Sequence, residues 1–157
     1  GVHYIRTTRK AAIKIYDENE TFEKGKGKVL REGKDVTIIA SGIMVAESLK
    51  AADLLAQEGI EATVIDMFCI KPLDEDLVLK YAEETGAIVT AENHNVIGGL
   101  GSAVAELCAE NCPIPVLKLG VNDTFGHSGP ANDLLDEFGL RAKNIVELAK
   151  KAKEKKK

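Results

Sequence analysis

The chain has 157 residues, of which 45% are hydrophobic and 29% are charged. This length suits one domain, and this composition is typical of globular proteins and excludes general disorder. No apolar run approaches the ~20 residues that a membrane-spanning helix needs, so we expect no membrane partner. The chain begins without methionine, and we expect it to be a part of a longer protein.

The net charge of −4 is distributed unevenly along the chain. Residues 150–157 contain six lysines and one glutamate, so the other 149 residues carry a net charge of −9. A nucleic-acid-binding surface needs clustered cations, and an acidic body lacks them. We therefore expect no nucleic-acid partner, and we interpret residues 150–157 as a basic, solvated tail after a helix.

The three cysteines are Cys69, Cys108 and Cys112. An odd number in what looks like an intracellular protein predicts free thiols rather than a disulfide framework. Cys108 and Cys112 are one helical turn apart, but no second Cys/His pair has the spacing to complete a four-ligand site. We therefore predict no metal site.

Four short apolar runs rich in β-branched residues predict strands, and helical patterns separate them. The first three runs are apolar on both faces, which is typical of parallel strands covered by helices on both sides. In the first helix, Val45, Leu49 and Leu55 form the apolar face, and Glu47 lies on the opposite face. The predicted strands are 36–40, 62–66, 87–91 and 116–119, and the predicted helices are 43–58, 74–86, 101–111, 130–138 and 141–153, with Asp74 as an N-cap and Gly59 and Gly86 as helix ends.

The N-terminal part has a different pattern. Residues 2–7 look extended, and residues 10–27 are polar and rich in glycine and lysine. Residues 28–31 form a short strand candidate, joined to the 36–40 strand by a link of turn length that predicts a hairpin. The whole pattern predicts a three-layer α/β/α domain around a mostly parallel, five-stranded sheet with one antiparallel edge strand.

A dense group of polar and glycine residues, 92–102, follows the third predicted core strand. Open α/β sheets bind ligands where strand C-termini meet helix N-termini, so these residues are a candidate anion loop. Glu92 and His94 could form an acid/base pair there. The alternative, which we favour, is that Gly98, Gly99 and Gly101 permit a tight turn while Glu92 and His94 bind each other or a neighbouring subunit.

Two further segments contain residues that often carry chemistry. Ser128 beside His127 suggests a nucleophile, but no orienting acid is evident, and Ser128 as N-cap of the 130–138 helix is the better interpretation. Arg6, Arg9 and Lys10 could bind a phosphate or carboxylate. By composition alone, a solvated strand end explains them slightly better.

Together, in this order, these segments resemble the C-terminal domain of transketolase, as part of the full enzyme or of a split C-terminal subunit. Deoxyxylulose-phosphate synthases and the β subunits of 2-oxoacid dehydrogenases share part of the pattern, but the first and last of the segments favour transketolase. The resemblance covers nearly the whole chain apart from the lysine tail. The matching segments are Ile5-Arg6-Thr7-Thr8-Arg9, residues 32–42, residues 64–74 with Lys71-Pro72-Leu73-Asp74, residues 92–101, and Phe125-Gly126-His127-Ser128-Gly129.

The resemblance implies a part in two-carbon ketol transfer between sugar phosphates, in the cytoplasm and the pentose phosphate pathway. Transketolases use thiamine diphosphate and a divalent metal such as magnesium, held between two other domains of a dimer. The C-terminal domain has no catalytic residue. We therefore expect this chain alone to be inactive and to bind no cofactor by itself, and to contribute domain packing, dimer contacts and regulation. The expected partners are the remaining transketolase domains or an N-terminal subunit, with homo-oligomers formed through them.

The resemblance also gives roles to individual residues. Residues 1–9 correspond to the end of the preceding pyrimidine-binding domain, residues 10–149 to the C-terminal domain, and residues 150–157 to the tail. Arg9 matches the arginine that grips the substrate phosphate. Glu92 and His94 carry over only as a subunit contact.

Two alternative functions stay open at this stage. One is a free-standing, doubly wound module that binds an anion or a nucleotide at the 92–102 loop. The other is the C-terminal domain of a 2-oxoacid dehydrogenase β subunit.

Overall fold

The structure, a computed structural model, describes residues 1–9 and 11–156. It contains one five-stranded sheet with the strand order β1-β3-β2-β4-β5. The predicted fold class is confirmed, and the predicted core strands and helices are found with small differences at their ends. The elements are β1 Lys28–Arg31, β2 Val36–Ala40, α1 Met44–Gln57, β3 Ala62–Asp66, α2 Glu75–Thr85, β4 Ile88–Asn95, α3 Leu100–Asn111, β5 Val116–Val121, α4 Ala131–Glu137 and α5 Ala142–Glu154.

Helices cover both faces of the sheet. Successive side chains of a strand point to opposite faces, so one apolar strand contributes to the core on each face. On β2, Ile38 belongs to the cluster that α1 and α5 complete, whereas Ile39 belongs to the cluster that α2 and α3 complete. Both side chains are fully buried. The three-layer arrangement therefore follows from the unbroken apolar runs seen in the sequence.

The short strand β1 is the antiparallel edge strand, but its neighbour is not the predicted one. It pairs with β3, with Lys28 opposite Asp66, rather than forming a hairpin with β2. The link to β2 therefore crosses the amino end of β3. At the crossing, the Gly33 N–H donates to Thr63 Oγ1 (2.9 Å), and a Cβ on Gly33 would lie 2.4 Å from the Ala62 carbonyl carbon. Only glycine permits so close a crossing.

Helix α1 buries one residue that the sequence pattern placed on its solvent face. The Glu47 side chain is buried, and its Oε2 accepts the N–H of Ala142 at 2.9 Å. Lys50 donates to the other oxygen at 2.7 Å. The first N–H groups of a helix need acceptors, and no side chain of α5 itself supplies one at Arg141. Glu47 therefore faces α5 and caps it.

The basic tail is not a separate segment. Helix α5 continues to Glu154, and Ala152 is fully buried. Lys150 forms an ion pair with Glu58, and Lys153 Nζ lies 3.0 Å from Asp35 Oδ1. The boundary predicted between residues 149 and 150 therefore lies inside a packed helix, because Ala149 and Ala152 extend its apolar face by a further turn.

Residues 1–9 have no strand in the structure, although residues 2–7 look extended in the sequence. All nine residues are exposed, including the apolar side chains of Val2, Tyr4 and Ile5. A strand needs a neighbour, and this segment does not pair with the five-stranded sheet. In the part of the chain that the structure describes, no helix is both long and apolar enough to cross a membrane.

Candidate functional site at the carboxyl edge of the sheet

The carboxyl ends of the parallel strands face a common edge, where loops and the N-terminal segment gather. The chain leaves β2 through α1 toward β3 and leaves β4 through α3 toward β5, so the connections diverge between β2 and β4. Such a switch point is where open α/β sheets bind ligands. Three segments that the sequence singled out lie at this edge: residues 92–102, the N-terminal segment with Arg6 and Arg9, and the segment that follows β5. Their residues make different kinds of contact.

Glu92 is buried and is bound to the start of α3. Its Oε2 accepts the N–H of Leu100 at 2.9 Å and its Oε1 accepts the N–H of Gly101 at 2.8 Å. The N-cap residue Gly99 has no side chain with which to cap the helix. The negative charge of Glu92 also lies at the positive end of the helix dipole. The N–H groups that suggested an anion loop therefore bind an internal carboxylate.

The three glycines of this loop have different roles. A Cβ on Gly99 would lie 2.1 Å from Glu92 Oε2, and one on Gly101 would lie 2.7 Å from Thr90 Oγ1 and from Lys118 Cδ. Gly98 has open space around it and a φ of +75°, a left-handed conformation. Gly99 and Gly101 thus leave room for packed neighbours, and Gly98 makes the turn. An external anion would have to displace Glu92.

The structure does not bring Glu92 and His94 into an acid/base pair. Both Glu92 oxygens accept backbone N–H groups, and the His94 side chain is exposed. The prediction that His94 contacts a neighbouring subunit is not tested by the structure of one chain and stays a prediction.

Of the two arginines singled out in the N-terminal segment, Arg6 touches the sheet. Its Nη2 donates to the main-chain oxygen of Asn93, at the end of β4, at 3.0 Å. Arg9 is exposed. Lys10, the third cation of the cluster proposed from the sequence, lies outside the described residues. Asn93 was not recognised as a partner, because a main-chain acceptor leaves no signal in the residue type.

The segment after β5 is held by polar contacts and leaves its aromatic residue in solvent. Asn95 Nδ2 donates to Asp123 Oδ1 at 3.0 Å, and His127 Nδ1 contacts Glu137 Oε1. Phe125 is 94% exposed. Glu137 is an acid beside His127 that sequence reasoning missed, since the two residues are ten positions apart and are joined only by the packing of α4.

The N-cap prediction for Ser128 is wrong. Helix α4 begins at Ala131, its N-cap is Pro130, and no side chain caps it. Ser128 lies two residues before the N-cap, too early in the chain for its hydroxyl to reach the first free N–H groups in the usual way.

A second buried carboxylate, Asp66, lies at the end of β3. Its Oδ2 accepts the Tyr16 hydroxyl at 2.7 Å, and its Oδ1 is buried with no partner among the described residues. Burial raises the pKa of Asp66 and outweighs the opposite effect of the Tyr16 hydrogen bond. Phe22 packs edge-on against both Tyr16 and Phe68, with ring centroids 4.9 and 5.0 Å apart. These contacts, which the sequence did not predict, fasten the irregular 11–27 segment over β3.

The cysteines and acidic residues form no recognisable metal site. All three thiols are free, and burial, with a smaller effect of Cys112, raises the pKa of Cys108 to about 11. Within residues 1–9 and 11–156, no three His, Cys, Asp or Glu side chains are grouped to hold a metal ion.

The comparison with known families decides what this edge belongs to. The family described as "Transketolase, C-terminal domain" matches residues 25–145. The chain is a member of the transketolase C-terminal domain family. It is 53% identical over 156 residues to the 6-deoxy-6-sulfo-D-fructose transketolase subunit SqwH of Clostridium sp. (strain MSTE9), which covers 99% of the chain and 48% of that relative. It is 45% identical to a putative transketolase C-terminal section of Methanocaldococcus jannaschii, over 96% of the chain and 49% of the relative.

Solved structures agree with this assignment. A split-gene transketolase, described as an inactive β4 tetramer, matches 95% of the chain and 49% of its own length with a TM-score of 0.92 and 52% identity. The transketolase of Leishmania mexicana matches with a TM-score of 0.63 at 21% identity, which shows a shared fold. The chain spans about half the length of the curated relatives it matches first.

The described residues do not fit the thiamine diphosphate and metal that the transketolase family implies. The N–H groups at the start of α3 are taken by Glu92, and the described residues offer no grouped metal ligands. We therefore derive no chemical step through this cofactor from this chain.

Proposed function

We propose that this chain is the non-catalytic C-terminal domain of a thiamine diphosphate-dependent transketolase, and that the ketol transfer between sugar phosphates takes place on the rest of the enzyme. The observation that carries this proposal is the family match over residues 25–145 in a chain that spans about half of its relatives. The contacts of Glu92 also support the proposal, because its carboxylate occupies the backbone N–H groups of the candidate anion loop. A cytoplasmic location and a role in the pentose phosphate pathway belong to the same proposal.

The same proposal gives this domain its partners. Among the described residues, nine of the ten exposed large hydrophobic side chains lie in residues 1–22 or in segments that follow β3, β4 and β5. Exposed apolar side chains gathered on one side of a molecule favour a contact surface. We assign this surface to packing against the remaining transketolase domains or an N-terminal subunit, and through them to dimer contacts. Regulation by a ligand stays a prediction from the family.

The contact surface is testable at Phe125, which is 94% exposed. Replacing Phe125 with serine should weaken the complex between the chain and the polypeptides that carry the other domains about tenfold, as loss of an aromatic anchor typically does. Isothermal titration calorimetry measures the effect. The matched control is Leu54→Ser, since Leu54 is 42% exposed on α1 and lies outside these segments. Equal dissociation constants for the two variants would reject the assignment.

The proposed role of Arg9 is to bind the substrate phosphate. Its exposure leaves the guanidinium accessible to a ligand. In the complete enzyme, Arg9→Ala should raise the KM for phosphorylated donors more than it lowers kcat, because a contact remote from the reacting bond is lost. An unchanged KM would reject this role. No observation favours the free-standing anion-binding module or the 2-oxoacid dehydrogenase alternative over this proposal.

A further inference from the structure

We propose that Arg6 is a positioning residue: by binding the main chain of β4, it sets the place from which Arg9 meets the substrate phosphate. The inference rests on the proposed function and deepens it. It gives a domain without catalytic residues a defined effect on substrate binding.

The acceptor of Arg6 lies where the hydrogen-bond ladder between β4 and β2 ends. The N–H of Ser41, just after β2, donates to the Ala91 oxygen at 3.1 Å. The Asn93 oxygen lies two residues after that of Ala91 in β4. Beyond Ser41 the chain turns away at Gly42, whose φ is +59°. Arg6 therefore donates to a β4 oxygen that lies beyond the hydrogen bond between Ser41 and Ala91.

The anchor lies just past the paired part of β4. Residues 88–91 of β4 pair with β2 and with β5 and are fully buried, and Asn93 follows two residues later, within the register shift between Ala91 and Asn95 in the β4–β5 pairing. The turn after β2 also lies beside Asn93, since a Cβ on Gly42 would be 3.6 Å from Asn93 Oδ1. A guanidinium held at this point is thus tied to β4 two residues beyond its buried, doubly paired part, although the segment that carries it is exposed and forms no strand.

The distance along the chain makes the anchor effective at Arg9. Arg9 lies three positions after Arg6, and three residues span at most roughly 10–11 Å when fully extended. Binding Arg6 to β4 therefore confines Arg9 to the neighbourhood of the switch point between β2 and β4. Without that bond, Arg9 would have to be ordered at the moment of substrate binding, which weakens the binding.

The test uses the complete enzyme, in which the chain is joined to or combined with the other domains. Arg6→Met should raise the KM for a phosphorylated ketose donor roughly three- to tenfold, as expected for one lost hydrogen bond, with kcat changed less than about twofold. Arg6→Lys should restore most of the loss, because an ammonium can also donate to the Asn93 oxygen. The control is Arg31→Met. Arg31 forms ion pairs with Asp53 and Glu61 near the amino end of β3, away from the carboxyl edge of the sheet.

The double variant distinguishes positioning from direct contact. If Arg6 acts through Arg9, then Arg6→Met combined with Arg9→Ala should have the same KM as Arg9→Ala alone. Multiplied effects would overturn the inference, because Arg6 would then bind substrate independently. A raised KM for Arg9→Ala with an unchanged KM for Arg6→Met would overturn the inference alone. An unchanged KM for Arg9→Ala would overturn the phosphate role and the inference together.

Discussion

Two loops at the same edge of the sheet contain the same kinds of residue but differ in burial. The glycine loop (residues 92–102) comprises the end of β4, the turn after it and the start of α3, and the Phe125 loop (residues 122–130) follows β5. The first contains three glycines and the second two, and each has a histidine beside polar residues. In the first, Glu92 and Leu100 are buried and joined by a hydrogen bond, whereas all residues of the second are exposed.

This difference shows that glycine and charge at a strand end do not define a binding site. The decisive quantity is whether the polar groups already have partners inside the fold. In the glycine loop the Glu92 carboxylate and the helix N–H groups bind each other, so these groups belong to the core, whereas Ile97 of the same loop is 64% exposed. In the Phe125 loop the polar contacts fix the backbone and leave Phe125 in solvent, which favours a contact with a partner.

The largest effect is expected when one methyl group is added to each loop. Gly99→Ala should lower the free energy of unfolding by about 3 kcal/mol, because the new Cβ would lie 2.1 Å from Glu92 Oε2 and would displace the cap. Gly126→Ala should change it by about 0.5 kcal/mol or less, since nothing lies within 4 Å of that position. Urea unfolding followed by circular dichroism measures both, as the chain has no tryptophan. Equal effects would contradict the contrast between the loops.

A smaller effect is expected from neutralising one carboxylate in each loop's network. Glu92→Gln should lower the free energy of unfolding by about 2 kcal/mol. The NH2 group of glutamine cannot accept a hydrogen bond, so one buried backbone N–H at the start of α3 loses its acceptor. Glu137→Gln, which removes the exposed partner of His127, should cost about 0.5 kcal/mol or less. The same unfolding titration applies. A larger loss for Glu137→Gln would show that the Phe125 loop is the structural one.

The smallest effect is expected at Asp66, at the same edge of the sheet. Only one of its two carboxylate oxygens has a hydrogen-bond partner among the described residues. Its pKa is raised in the folded chain by burial, so its contribution to stability is full below its pKa in the unfolded chain and is lost as the pH rises through its folded pKa. The stability of the native chain relative to Asp66→Asn should therefore fall as the pH is raised from about 4 to 7.

Asp35 supplies a control of opposite sign for this pH dependence. The hydrogen bond from the Glu61 N–H and the nearby Lys153 hold the pKa of Asp35 below its usual value. The stability of the native chain relative to Asp35→Asn should therefore rise with pH through the acid range. Unfolding titrations at several pH values measure both slopes. Parallel slopes for the two variants would refute the account of Asp66.

Local patterns predicted most of the fold, because they depend on residues close in sequence. The apolar runs gave the core strands, Asp74 caps α2 as expected, and Gly86 ends it with a φ of +68°. The errors arose where a distant segment decides. Glu47 is buried because Ala142, 95 residues away, needs an acceptor. Strand β1 pairs with β3 because Gly33 lets the chain cross the end of that strand.

The candidate site was harder to predict for the same reason. The sequence singled out Glu92 and the glycines at a strand end, but it paired Glu92 with His94 or a neighbouring subunit, because the backbone N–H groups that Glu92 binds carry no residue signature. The contact between Arg6 and the Asn93 oxygen joins residues 87 positions apart. Such pairings follow from topology, which the order of residue types does not specify.

We propose that this domain belongs to a transketolase and contributes no catalytic group. The most direct measurement is ketol transfer by the purified chain, supplied with thiamine diphosphate, magnesium and sugar phosphates, with circular dichroism to verify that it is folded. We predict no transfer by the chain alone, and transfer when the polypeptides carrying the other transketolase domains are added. Ketol transfer by the folded chain alone would contradict the account.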